Sequence, residues 1–296
     1  MSIVKLRFVC AVMAITLLLA SFCSAETEEE LLKSRTESYN KVVSIDGRNY
    51  VVFAQNSPEY ADIYISKNYS ATVGKSACAP FTLANILVNM VNYEELPLIR
   101  NVSKWPIRID THSILREQGI RERDSFEIKT KEDYFRYFPL CIINIVASNN
   151  KGLGSRYATA GYYKVFFKNF GLTYETTMDI DYCVEKARQP GVMIAVSTGG
   201  RDSPIAKING HYFVFAHADD EYAYFLDSSF RNEYKDDYKK IIHVIEPGLF
   251  SVRLEDLRDL QLSGTKYIVT ENANRTLYSQ DIFQHFGAVY TATNLP

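Results

Sequence analysis

The part of the chain that most constrains its fold is the stretch 192–228, where short apolar runs alternate with turn-forming residues. Runs bounded by Gly, Pro and Asp are typical of β-strands, and the two runs that flank the acidic turn 219–221 predict an antiparallel hairpin. Helices followed by antiparallel strands indicate the α+β class. Short strand-like runs are also predicted within 46–65, with Asp46-Gly47 as a turn. We predict strands at 192–197, 210–217, 222–228, 239–245 and 266–270, and helices at 76–92, 109–118, 131–138, 155–170 and 180–188.

Cys78 lies near the start of the helix predicted at 76–92. Ser76 is the predicted N-cap, and Pro80 falls in the first turn, where a missing N–H costs little. Because the N-terminus of a helix carries partial positive charge, it favours the thiolate form of a cysteine placed there. The alternative is a buried thiol that acts as a small hydrophobic side chain. The apolar side chains that follow recur at helical spacing and form one face: Leu83, Ile86, Leu87, Met90 and Val91.

His211 and Asp227 stand at the ends of two strands that are predicted to be neighbours. The start of one strand and the end of its antiparallel partner lie at the same edge of a sheet, so we expect a hydrogen bond between the imidazole and the carboxylate. A thiolate, an imidazole and a carboxylate are the three groups that cysteine-dependent acyl transfer needs. Taken alone, His211 also suits a structural role, and Asp227 suits a residue that ends a strand.

The order of these motifs resembles that of the C39-like cysteine peptidases, which have the papain-like fold. The motif Cys-x-Pro-x-x-x-Ala occupies residues 78–84, the pair Gly210-His211 opens an apolar strand, and a later strand ends at Asp227. The resemblance extends in both directions along the chain and covers roughly residues 46–270.

Segments on both sides of these motifs carry the rest of the resemblance. Residues 55–62 resemble the Gln-x-x-Pro-x-Trp-Ala motif of the family, with Tyr60 in the place of Trp. Residues 250–257 and 266–269 resemble the helix and the strand that close the domain. The resemblance therefore implies a helix bearing the Cys that is packed on an antiparallel β-sheet bearing the His and the Asp.

The resemblance also implies a role for each residue of the site. Cys78 would be the nucleophile, His211 the general base and acid, and Asp227 the acid that orients His211. Gln55 would donate to the oxyanion together with the backbone N–H of Cys78. The alternative for Gln55 is an inert surface amide.

Three positions depart from the pattern of the family. Ala77 and Ala79 flank Cys78 where glycines are usual, and Ser228 follows Asp227 where Pro is common. Glycines next to a nucleophile allow close approach of a substrate backbone, so their absence keeps a non-catalytic descendant open as an alternative.

Residues 1–25 are predicted to be a signal peptide. Lys5 and Arg7 form a basic start, residues 8–20 form an apolar run too short to span a bilayer, and residues 23–25 form a small-residue cleavage site. We therefore expect a secreted, periplasmic or extracellular location, with an uncleaved N-terminal anchor as the alternative. The predicted divisions are a signal peptide at 1–25, a polar N-terminal linker at 26–45, a peptidase domain at 46–270 and a C-terminal tail at 271–296.

Three cysteines follow the predicted cleavage site: Cys78, Cys141 and Cys183. An odd number in an exported protein leaves one thiol free or intermolecular, and the simplest interpretation keeps Cys78 free. The other two then form a disulfide or stay buried. No spacing of Cys and His indicates a zinc site, so we expect neither metal nor cofactor. His217 lies an even step of six residues after His211, which predicts both rings on one face of the strand.

The charge balance disfavours nucleic acid as a partner. The chain has 33 Lys and Arg against 35 Asp and Glu, for a formal net charge of -2. Signal removal takes away two basic residues and no acidic one, and no basic patch remains. We expect a peptide or protein substrate, and no membrane contact after signal cleavage.

These observations together predict a secreted cysteine peptidase that hydrolyses peptide bonds through a Cys–His–Asp triad and a thioester acyl-enzyme. Two alternatives remain open. One is a papain-like thiol hydrolase that acts on cell-wall peptides, and the other is a catalytically inactive relative that binds peptides.

Overall fold

A computed structural model describes residues 40–57, 61, 72–91, 107–109, 126–128, 138–140, 142–143, 163–198, 211–230, 240–257 and 265–277. All of these residues belong to one structural unit, Ser38–Pro296. The helices described are α1 (Val73–Ser76), α2 (Cys78–Met90), α3 (Tyr163–Asn169), α4 (Ile180–Ala187) and α5 (Leu254–Leu257). The strands described are β1 (Lys41–Ile45), β2 (Arg48–Val52), β3 (Ile107–Ile109), β4 (Phe126–Ile128), β5 (Thr173–Thr177), β6 (Val192–Thr198), β7 (His211–Ala218), β8 (Tyr222–Leu226), β9 (Ile242–Glu246), β10 (Leu249–Arg253) and β11 (Lys266–Glu271).

Seven of the strands form one antiparallel sheet in the order β5-β11-β6-β7-β8-β10-β9. The hairpin predicted from the run 192–228 is confirmed: β7 and β8 pair so that Val214 lies opposite Leu226 and Ala218 opposite Ala223. With helices packed on this sheet, the fold is of the α+β class, as predicted.

Both faces of the central strand β7 are buried. Val214 lies in a first core with Leu83 of α2, whereas Phe213 lies in a second core with Cys183 of α4. Helices α2 and α4 both contact β6 and β7. Because side chains alternate along a strand, this one strand contributes to the core on each side of the sheet.

Helix α2 is buried on all sides and not along one face only. Every residue from Ala79 to Met90 is buried. Two asparagines account for the polar side of the helix: Asn85 Oδ1 accepts from the N–H of Phe53 at 2.9 Å, and Asn89 Oδ1 accepts from the N–H of Val51 at 2.8 Å. The amide side chains thus pair with backbone groups of β2 and of the segment that follows it, and fix that segment against the helix that begins at Cys78.

The predicted linker at 26–45 is wrong at its C-terminal end, because β1 occupies Lys41–Ile45. Val43 and Ile45 are buried, which places the strand in the first core. β1 pairs with β2 through the predicted turn at Asp46-Gly47, where both residues have positive φ, as a two-residue hairpin turn requires. The strand therefore begins before the predicted domain boundary at 46.

Other predicted boundaries also change. The closing helix predicted at 250–257 is the strand β10 followed by one short turn of helix, and residue 109, predicted as helical, ends β3. The predicted tail at 271–296 begins inside the fold, since Asn272 Nδ2 donates to the carbonyl of Met90 at 3.3 Å. The predictions for residues 1–25, 110–118, 131–137 and 155–162, and for Tyr60 and Cys141, lie outside the described residues.

No helix within the described ranges has the length and apolar character that a membrane crossing requires.

Candidate active site

Cys78 is the first residue of α2, next to the break between two helices. Ala77 occupies the N-cap position with φ of -94° and ψ of 15°, and no side chain caps the helix. Ser76 is therefore not the N-cap that the sequence predicted. It is the last residue of α1, because its N–H already bonds to the carbonyl of Thr72 at 3.0 Å. Pro80 lies in the first turn, as predicted.

The two alanines that flank Cys78 point into the protein. Ala77 and Ala79 are 0% and 1% exposed and belong to the first core, whereas Cys78 is partly exposed. Their methyl groups are packed among core side chains and not on the exposed side of the thiol. The departure from the glycines of the resembling family therefore adds two methyl groups to the core and none to the protein surface.

His211 and Asp227 are brought together, as the hairpin predicted. His211 Nε2 lies 2.7 Å from Asp227 Oδ1, and the two residues are 4% and 1% exposed. The imidazole also stacks on Phe213, with ring centroids 5.8 Å apart. Since Nε2 is occupied by Asp227, Nδ1 is the ring nitrogen left for a second partner.

The carboxylate of Asp227 is held by its own loop. Ser229 donates to Asp227 Oδ1 twice, from its N–H at 2.9 Å and from Oγ at 2.7 Å. The N–H of Asp227 bonds to the carbonyl of Gly248 at 3.0 Å. A buried carboxylate that accepts several hydrogen bonds is stabilised in its charged form, so the Asp227 carboxylate can stabilise a positive charge beside it.

Cys78 and His211 are near enough to each other for each to shift the pKa of the other. Burial by itself would raise the pKa of the thiol, but the hydrogen bond and the charge of His211, together with the backbone N–H of Tyr212, lower that pKa below its ordinary value. Burial also opposes charge on His211, but Asp227 and then Cys78 raise the pKa of the imidazole to about 9. Opposite shifts in two partners favour a thiolate–imidazolium pair.

Gln55 lies in the loop after β2 and joins the two halves of the site. Its Nε2 donates to the carbonyl of Gly74 at 2.9 Å, four residues before Cys78, and its Oε1 accepts from Ser228 Oγ at 3.1 Å. Its backbone N–H bonds to the carbonyl of Ser228 at 2.8 Å. Gln55 is 5% exposed, so it is not a surface amide. One of its two Nε2 hydrogens remains for another acceptor.

The backbone N–H of Cys78 is the other expected oxyanion donor. Within the described residues no hydrogen bond engages this N–H. Gly74, whose carbonyl stands one helical turn earlier, accepts from Gln55 instead. A backbone donor at an uncapped helix start is suited to an anionic oxygen.

Several residues around the site carried no signal in the sequence analysis. Thr198 Oγ1 accepts from the N–H of His211 at 2.9 Å, and Tyr163 Oη donates to the carbonyl of Ala79 at 2.5 Å. These contacts join residues far apart in the chain, so no local motif marks them. Ser229 is different, because a serine two residues after an aspartate is a known turn pattern that predicts its bond to Asp227.

His217 does not share the surroundings of His211, so the prediction that both rings lie on one face is wrong. The pairing of β7 with β8 shifts register between Phe215 and His217, and such a bulge breaks the two-residue alternation. The ring of His217 stacks on Tyr224 at 6.1 Å, and its Nε2 lies 3.9 Å from Asp46 Oδ2.

Cys183 is a free, buried thiol, so it does not form the disulfide with Cys141 that the sequence left open. Burial, and then the charges of Asp179 and Glu175, raise the pKa of Cys183 to about 12. It is therefore unsuited to act as a nucleophile. Within the described ranges, no three His, Cys, Asp or Glu side chains are grouped as metal ligands would be.

Comparison with known proteins returns no match: no protein-family model, no curated protein and no solved structure is similar to this chain.

Proposed function

We propose that this chain is a cysteine peptidase that hydrolyses peptide bonds through Cys78, His211 and Asp227. The observation that carries the proposal is the imidazole of His211, which is hydrogen-bonded to Asp227 at 2.7 Å and is near enough to Cys78 to lower the pKa of its thiol. A nucleophile, a base and a group that orients the base, in hydrogen-bonded sequence, are the minimal set for covalent acyl transfer.

The first half of the reaction forms a thioester. The Cys78 thiolate attacks the carbonyl carbon of the scissile peptide bond, and the carbonyl oxygen becomes an oxyanion next to the N–H of Cys78 and the Nε2 of Gln55. The imidazolium of His211 then gives its proton to the leaving nitrogen as the carbon–nitrogen bond breaks. The amine product departs, and the acyl group stays on the sulfur.

The second half releases the acid. Neutral His211 takes a proton from a water molecule, and the resulting hydroxide attacks the thioester carbon. The carbon–sulfur bond breaks, the carboxylic acid leaves, and the pair of Cys78 thiolate and His211 imidazolium is restored. Asp227 keeps the imidazole in one orientation throughout and stabilises its positive charge.

Several features support a papain-like arrangement for this α+β fold. The helix that begins with Cys78 packs on the sheet that carries His211 and Asp227, in the chain order of the resembling family. The hydrogen bond between Ser228 Oγ and Gln55 Oε1 joins the proposed oxyanion donor to the loop that follows Asp227. From the basic start, the short apolar run and the small-residue site within 1–25, we propose export through a signal peptide. On the resemblance, we propose a peptide or protein substrate.

Two observations favour a catalyst over an inactive peptide-binding relative. The methyl groups of Ala77 and Ala79 are buried, and the pKa shifts of Cys78 and His211 are those of an activated pair. A protein that only binds peptides has no need of a thiolate beside an imidazolium.

The proposal is tested with a thiol-reactive probe that carries a peptide-like recognition group. We expect the probe to modify Cys78 of the intact protein at neutral pH, and Cys78→Ala to remove both labelling and peptide hydrolysis. Cys183→Ala is the matched control, because that thiol is buried and its removal should leave both the labelling of Cys78 and hydrolysis unchanged. Hydrolysis by Cys78→Ala at the rate of the wild type would refute the proposal.

A further inference from the structure

We propose that Thr198 is a positioning residue that fixes the backbone of His211 for its work at Cys78. The hydroxyl of Thr198 accepts from the N–H of His211 at 2.9 Å and donates to the carbonyl of the same residue at 3.2 Å. Thr198 is the last residue of β6 and stands opposite His211, the first residue of β7. This inference rests on the proposed function, because it concerns how the same site is held.

The position of His211 at a strand end explains why such a clamp matters. Strand termini have the fewest ladder hydrogen bonds and open first. The ring of His211 is held by Asp227 and stacked on Phe213, but both contacts depend on where the backbone places the ring. Reacting groups must be kept within a fraction of an ångström of their productive geometry. A hydroxyl that bonds to both backbone groups of one residue provides that restraint.

The clamp is buried, which makes its hydrogen bonds hard to replace. Thr198 is 7% exposed and His211 is 4% exposed. Loss of the hydroxyl would leave a buried N–H of His211 without its acceptor, and the strand end would have to move to find another. Among the described residues, the groups that face the imidazole are Cys78, Asp227 and the ring of Phe213, so movement of His211 changes the ionisation of Cys78.

Thr270 offers a matched control in the same sheet. It lies on β11, it is 0% exposed, and its hydroxyl has no hydrogen-bond partner among the described residues. Thr→Val removes a hydroxyl and keeps the branched shape at both positions. Only at Thr198 does the change also break hydrogen bonds to His211.

The experiment follows alkylation of Cys78 by iodoacetamide against pH in Thr198→Val, Thr198→Ser, Thr270→Val and the wild type. At about pH 6 we expect alkylation of Thr198→Val to be slower by about 10-fold, the effect of one pKa unit on the thiolate fraction. The rates should converge at about pH 10, where any thiol is ionised. Thr198→Ser keeps the hydroxyl and should match the wild type, as should Thr270→Val.

Two results would overturn the inference: Thr198→Val with the wild-type profile, or an equal loss in Thr198→Val and Thr270→Val. Failure of the proposed function looks different, because Cys78 of the wild type would then itself ionise like an ordinary thiol. If Thr198→Val does not fold, hydrogen exchange in the wild type decides. An N–H of His211 protected by about 100-fold or more supports the clamp, and exchange at the rate of a free amide contradicts it.

Discussion

The two histidines of β7 lie near opposite ends of one strand, and both are 4% exposed, yet their pKa values are shifted in opposite directions. The pKa of His211 is raised to about 9, whereas burial, and then the charge of Arg48, lower the pKa of His217. His211 has the buried carboxylate of Asp227 at 2.7 Å. The carboxylate that forms an ion pair with His217 is that of Asp46, at 3.9 Å, and the backbone of Ala187 and the charge of Asp219 add smaller effects that do not offset burial.

The comparison teaches that burial and strand position do not decide what a histidine does. The side chain of Asp46 is 72% exposed, so water screens its charge, and His217 Nδ1 is buried without a hydrogen-bond partner in the described part of the chain. Asp227 is instead inside the protein, oriented by Ser229, and faces a ring that also meets a thiol. A close, buried and oriented carboxylate outweighs desolvation, and a distant exposed one does not.

The largest expected effect comes from replacing His211 and His217, one at a time, with glutamine. His211→Gln should lower kcat/KM for a peptide substrate by about 10³-fold or more, because no other described group beside Cys78 is suited to transfer the proton. His217→Gln should stay within about 2-fold of the wild type when activity is scaled to folded protein, since His217 does not contact the site. Equal losses in the two variants would remove the distinction between them.

The next effect comes from the two carboxylates. Asp227→Asn should lower kcat by about 10²-fold, less than loss of His211, because the ring remains but its tautomer and orientation are no longer imposed. Asp46→Asn should change kcat by less than about 2-fold, as expected for an exposed partner beyond hydrogen-bond distance. Steady-state kinetics of both variants checks this prediction. An Asp227→Asn variant with the kcat of the wild type would contradict the triad.

A smaller effect concerns stability, and it is measured in a Cys78→Ala background. In the wild type, one proton is released over the same alkaline pH range in both states: from the Cys78 thiol in the unfolded state and from His211 in the folded state. The effects of these two groups on the pH dependence of stability therefore largely cancel. Without the thiol, Asp227 still raises the pKa of His211, so its contribution is complete below about pH 6.5 and is lost as the pH rises through the raised pKa. The expected loss is on the order of 1 to 2 kcal/mol.

His217 should show the opposite dependence. Its pKa is lowered in the folded protein, so its contribution to stability is present above about pH 6.5 and is lost as the pH falls through the lowered value. Urea unfolding of His211→Gln and His217→Gln, each with Cys78→Ala, should therefore remove the alkaline loss in one and the acid loss in the other. Retention of both losses in both variants would show that other groups cause them.

The sequence predicted the parts of the molecule that depend on local patterns. Alternation and turn residues located the hairpin of β7 and β8, and with it the contact between His211 and Asp227. Strand β5 was missed because its sequence, TYETT, lacks apolar alternation, and its burial pattern shows why: it is an exposed edge of the sheet. β1 was absorbed into a polar segment because a strand of 5 residues gives little periodic signal.

The contacts that support the site depend on tertiary structure and were beyond local patterns. Thr198 meets His211 only because β6 and β7 pair in one register. The burial of Ala77 and Ala79 depends on how α2 packs. Whether their methyl groups lie in the core or on the surface beside Cys78 could therefore not be predicted from the sequence. The prediction that His217 shares a face with His211 was wrong for a related reason: a single bulge breaks the strict alternation on which it was based.

The central claim is that Cys78 and His211 form a thiolate–imidazolium pair, and the most direct measurement is the ultraviolet absorbance of the Cys78 thiolate as a function of pH. The signal is the difference between the wild type and Cys78→Ala. We predict that the thiolate forms at a pH below the ordinary thiol pKa of about 8.5, and that His211→Gln shifts its formation upward. A Cys78 thiolate that appears only at about pH 8.5 or above, with no change in His211→Gln, would contradict the account.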